Sequence, residues 1–123
     1  MDSTDAPSTS ALAEVQSAIA GDFAKLLSDA SGRGPEQINC YVHPDFVLLV
    51  MHGVMSRAEH TLSRTDNPGL AGSTRLAFHE TLRPRLRELV ERHTGRAVQS
   101  ALPQFDQTAD VLVEVLLLSD AGE

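Results

Sequence analysis

The stretch SGRGPEQ, residues 31–37, sets Arg33 between Gly32 and Gly34, a composition that can hold a phosphate or a carboxylate. A phosphate loop needs several backbone N–H groups aimed at one point, usually at a helix N-terminus. Here the glycines follow a helical pattern and lead into a strand pattern, and Pro35 removes one donor. Gly32 suits a left-handed helix cap, Gly34 a turn and Pro35 a strand entry. Arg33 remains available to an anion or a partner's carboxylate. Arg96, just after Gly95, is the second cation of this kind.

The other reactive side chains fall into no familiar catalytic pattern. The five histidines, His43, His52, His60, His79 and His93, form neither H-x-x-x-H nor H-E-x-x-H, so no spacing points to a metal. His79 and His93 lie on a helical apolar stripe and are expected to be buried and hydrogen-bonded. Cys40 is the lone thiol, in mid-strand with Ile38 and Val42, where an inert buried thiol is expected. No G-x-S-x-G occurs. Glu114 is the one charge in an apolar strand, which suggests a sheet edge or a pairing with an arginine across a subunit interface. No enzyme activity, cofactor or metal is expected.

Gly69-Leu70-Ala71-Gly72 lies between two helical patterns, in an order that resembles a type II KH domain, whose G-x-x-G clamps a nucleic-acid backbone. The two middle positions carry no base, and the arginines of the next helix are interleaved with Glu80, Glu88 and Glu91. Nucleic acid is therefore the alternative partner rather than the expected one.

These residues sit on a chain of 123, enough for one domain with one core. Apolar recurrence at Leu12, Val15, Ile19, Phe23, Leu26 and Leu27 predicts a helix from a Ser10 cap to about Ala30. QINCYV and FVLLVMH read as a hairpin turning at His43-Pro44-Asp45. Ser56 and Glu59 have the spacing of a capping box that opens a short helix to about Arg64. A long helix is expected from about Ser73 to Thr94, capped by Gly95 and kinked or split before Pro84. AVQSAL and VLVEVLLL read as two closing strands separated by PQFDQTAD. The fold class is α+β: a two-layer domain, α-β-β-α-α-β-β, with a mostly antiparallel four-stranded sheet packed by helices. Residues 1–9 read as a disordered lead, 10–118 as the domain and 119–123 as a tail.

Both faces of FVLLVMH and VLVEVLLL are apolar, whereas a sheet open to water on one side alternates. A homodimer burying the second face is expected. The competing arrangement places the first helix on one face and the last on the other. Net charge is −7, distributed as −5 over residues 1–56, +3 over 57–96 and −5 over 97–123. Nucleic-acid binders are more often basic overall. The longest uninterrupted apolar run, Phe46 to Met51, is far short of a membrane helix, and the first residues lack a signal-peptide pattern. A cytoplasmic protein with no direct membrane insertion is expected.

GRGPEQ after an amphipathic helix, AEHTL in the capped helix, and LRPRLRELVERHTGRAV before two strands together resemble the MpsC-like family over residues 10–118. The resemblance implies a small bacterial accessory or regulatory protein associated with sodium, membrane-potential or bicarbonate transport systems. A membrane transporter subunit is then the implied partner. A small-ligand sensor with a dimer cleft near Arg33 and Arg96 is a further alternative.

Overall fold

The computed structural model describes residues 9–65, 67 and 69–120. Seven elements follow in order: α1 (Thr9–Ser31), β1 (Gln37–Val42), β2 (Phe46–His52), α2 (Arg57–Leu62), α3 (Gly69–Thr94), β3 (Val98–Asp106) and β4 (Val111–Leu118). The α+β class and the element order are those expected from the sequence. Most of the expected lead, residues 1–8, and the last three residues of the expected tail lie outside the described residues. Ser119, assigned to the tail on sequence, is buried, and its amide donates to the Ala97 carbonyl.

The four strands form one antiparallel sheet in the order β1-β2-β4-β3. The continuous apolar strands β2 and β4 therefore occupy the centre, and the mixed strands β1 and β3 the edges. Glu114 is thus not at an edge. β3 runs further than expected, through Pro103 to Asp106. Proline is tolerated there because an edge strand has one side without a ladder partner.

Register places Val47, Leu49 and Met51 on the same face as Leu112, Glu114 and Leu116, all buried. Both long helices cover that face. α1 lies along β1, α3 along β3, and the helices touch each other. Ile19, Phe23 and Leu27 of α1 meet Leu82, Leu86 and Val90 of α3 in the core. Full burial of such side chains contributes roughly 1.5–3 kcal/mol each, which makes this layer the main source of stability. The arrangement with one helix on each face is thereby excluded. No strand residue on the opposite face is fully buried.

Three boundaries differ from expectation. α1 already includes Thr9, so Ser10 is inside the helix rather than its cap. α2 ends at Leu62, with Ser63 as its cap. α3 begins at Gly69 and continues through Pro84 as one helix. Pro84 is exposed, so its ring meets solvent while Leu82 and Leu86 remain in the core.

Candidate functional site

The densest polar cluster gathers where β2 ends. Gly53 leaves the strand with φ +65, a conformation that favours glycine. The next residues, Val54 and Met55, are buried yet belong to neither strand nor helix, so their backbone groups need partners from elsewhere. Arg33 provides them on one side. Its Nη1 donates to the carbonyls of Val54 (3.2 Å) and Met55 (3.0 Å), and its Nη2 to that of Gly53 (3.2 Å). Asp110 provides them on the other. Its Oδ1 accepts from the N–H groups of Val54 (3.1 Å) and Met55 (3.0 Å). Asp110 itself has φ 54, and its carbonyl accepts from Gly53 N–H at 2.9 Å. His60 Nε2 of α2 lies 3.2 Å from Asp110 Oδ2.

The same cluster continues into α2. Ser56 and Glu59 form the expected capping box. Glu59 Oε1 accepts from Ser56 N–H (2.7 Å) and also from the guanidinium of Arg75. Burial works to raise the Glu59 carboxyl, but hydrogen bonds from Arg75 and Ser56 outweigh it and hold it below the usual range. Arg75 is buried in α3 and lies 5.1 Å over the Phe78 ring. Since α2 has no buried residue, ion pairs and caps contribute much of its attachment to the body.

His79 sits one turn along α3 from Arg75, with edge contacts to Phe23 and Phe78 at centroid distances of 6.3 and 5.7 Å. It is buried as expected, but neither ring nitrogen has a hydrogen-bond partner, contrary to expectation. Burial pushes its pKa down to about 4, helped by the nearby Arg75 charge and opposed by Glu59. His93, also on the stripe, is only partly buried and meets Asp22 Oδ2 of α1 at 2.8 Å. That hydrogen bond is the main cause holding Asp22 below its usual value.

Gly69 to Gly72 form the opening of α3 itself, not a loop between two helices. A side chain on Gly72 would lie 2.6 Å from Gln107 Oε1, so this glycine lets α3 approach the β3–β4 turn. The KH-type reading therefore loses its loop.

At the far end of the sheet, Gly95 closes α3 with φ +72. Arg96 then donates through Nε and Nη2 to the Ser119 carbonyl and through Nη1 to that of Pro44 (2.8 Å). Gly53, beside Arg33, and Pro44, beside Arg96, are separated by the full length of β2. The two arginines do not line one cleft. Each stitches chain segments together through backbone carbonyls.

Glu114 is 1% exposed in the central strand β4, facing the helices. Arg83 Nε of the same chain lies 3.6 Å from its Oε2, replacing the pairing expected across a subunit interface. Burial raises the Glu114 carboxyl, while Arg83 opposes the shift. The buried Cys40 thiol is pushed up to about 12 by burial, so it remains protonated at neutral pH. Among the described residues, no three metal-ligating side chains converge.

The sequence reading missed Asp110, Arg75 and Arg83 as site-forming residues. Asp110 closes an ordinary polar turn, and the two arginines lie in a helix rich in charge. None has a local signal. Their chemistry is that of holding backbone groups and neighbouring ions.

Comparison with curated proteins and with solved structures gives no match. Among the described residues, no helix is long and apolar enough to cross a membrane. The pattern of the MpsC family, described as a Na+-translocating membrane potential-generating system, matches residues 12–120. That span runs from α1 through β4 and takes in both arginine clamps, and on it the chain belongs to the MpsC family.

Proposed function

We propose that this chain is a non-enzymatic accessory or regulatory protein, acting as a cytoplasmic homodimer beside a bacterial transport system linked to sodium, membrane potential or inorganic carbon. The family match over residues 12–120 carries this reading. The polar clusters support it. Arg33, Asp110, Glu59 and Arg96 are engaged in fixing the chain's own segments. Contact with a transporter subunit through Arg33 or Arg96 would have to displace those bonds, so a partner surface elsewhere fits better.

Affinity capture of the tagged protein from its host, with membranes gently solubilised and eluates identified by mass spectrometry, tests this. Transport-system membrane subunits are expected in the eluate and absent from a tag-only control. Recovery of RNA and ribosomal material, or of this protein alone, would overturn the accessory role.

A further inference from the structure

The two faces of the sheet differ sharply. The helices bury one. The other presents Leu48, Val50, Val113 and Val115 at its centre, flanked by Tyr41 at 50% exposure and Leu102 at 53%. We propose that two copies of this chain join through this open face, sheet against sheet about a two-fold axis. The inference deepens the homodimer reading above and rests on it.

Charge favours a second copy over other occupants. The chain carries −7 overall, so two copies repel through most of their surfaces. Yet outward strand positions hold no Lys, Arg or Glu, and their one acid, Asp106, ends β3 at the margin. Glu114, the only charge within β4, faces the helices. A copy meets this face without like-charge repulsion, whereas a charged partner finds no counter-charge on it.

The shape also suits self-association. Leu48 pairs with Val115 and Val50 with Val113 across the two central antiparallel strands, giving a continuous aliphatic patch at the middle of the face. An isologous contact requires a surface complementary to itself. Four strands spaced about 4.8 Å apart, each contributing about 20 Å of length, offer a flat footprint of roughly 400 Å² per copy. Side-chain relief increases this, and two copies approach the ~1,000 Å² that specific interfaces need.

Edge pairing is the competing way for two sheets to join, and both edges oppose it. β3 carries Pro103 and a register shift between Val98 and Ser100. At the other edge, the Val42 amide is already taken by Gln16 Oε1 at 3.0 Å.

Sedimentation equilibrium of the full chain, with Val50→Lys and Val115→Lys as separate variants, tests the interface. The native protein is expected to run at twice its monomer mass at micromolar concentration. Each variant should weaken association by at least about 100-fold, because the dimer would enclose an unpaired ammonium from each copy. Their circular dichroism should match the native spectrum, and Val50→Thr should retain the dimer as a fold control. A native monomer at hundreds of micromolar overturns the homodimer reading and this interface together. A dimer that persists in both lysine variants leaves the homodimer standing and overturns the face. A monomer whose capture of transport subunits is lost in Val115→Lys overturns self-association here and assigns the face to that partner.

Discussion

Arg33 and Asp110 grip the same short segment from opposite sides, although 77 positions separate them in the sequence. The guanidinium takes the carbonyls of residues 53–55, and the carboxylate takes the N–H groups of Val54 and Met55. The segment between the β-hairpin and α2 is thus fixed without a ladder or helix of its own.

Removing Arg33 should be a stability defect before it is a binding defect. Hydrogen bonds involving a charged group contribute about 1.5–3 kcal/mol each, and those sharing one guanidinium do not add fully. Arg33→Ala is expected to lower unfolding free energy by about 2 kcal/mol in urea titrations. Arg33→Lys should recover only part of this, since an ammonium cannot reproduce the planar fork. An unchanged urea midpoint for Arg33→Ala would show that the clamp is dispensable.

Asp110 combines two requirements, an acceptor oxygen and a positive φ. Asparagine tolerates that backbone conformation and keeps one acceptor, glycine keeps only the conformation, and alanine keeps neither. Thermal melts are expected to rank the variants Asn, Gly, Ala from least to most destabilised, with Ala lower by about 2–3 kcal/mol. If alanine melted above glycine, the backbone part of this account would be wrong.

His79 makes the fold acid-sensitive. Its folded pKa, about 4, lies below the ordinary 6.5, so the unfolded chain binds the proton first. Stability is then full above pH 6.5 and declines as pH falls through the interval to about 4, by a total near 3 kcal/mol. Its neighbours bear on the same interval: Arg75 deepens the shift and Glu59 opposes it. His79→Leu loses no hydrogen bond and should flatten this decline. Denaturant midpoints collected across the interval should show the wild type falling and the variant falling less. Parallel curves would remove His79 as the cause.

Glu114 acts with the opposite sign. Its folded carboxyl is raised from the usual 4.5, so the native state holds its proton longer than the unfolded chain. The associated stability is complete below the usual glutamate value and is lost as pH rises through the folded one. Glu114→Gln should therefore be neutral to about 2 kcal/mol stabilising at pH 7, since Arg83 is partly exposed and retains water. A clear loss of stability at pH 7 would mean that the pairing with Arg83 outweighs the burial cost.

Much of the architecture was legible in the residues themselves. The 3.6-residue recurrence of Ile19, Phe23 and Leu27 marks α1, the alternation in QINCYV marks β1, and Ser56 with Glu59 marks the start of α2. Such signals are local: a helix face, a pleat and a cap are each specified by neighbours within a few positions. That β2 and β4 are the two central strands is a matter of strand order, which the doubly apolar sequences leave open and the structure supplies.

What only the tertiary structure decided were relationships between distant positions. Nothing near Arg33 foretells that Gly53, Val54 and Met55 will lie beneath it, because β1 and β2 must first pair to bring their carbonyls there. Nothing near Glu114 selects Arg83 from eight arginines between residues 57 and 96. The side of the sheet on which both helices pack is likewise a choice between two apolar faces, which strand composition leaves undecided. It falls to the face where α1, α3 and all four strands bury one another together. The sequence determined the elements, because their causes are short-range. Packing determined the clamps and the open face, because partners are fixed only once the sheet order places them.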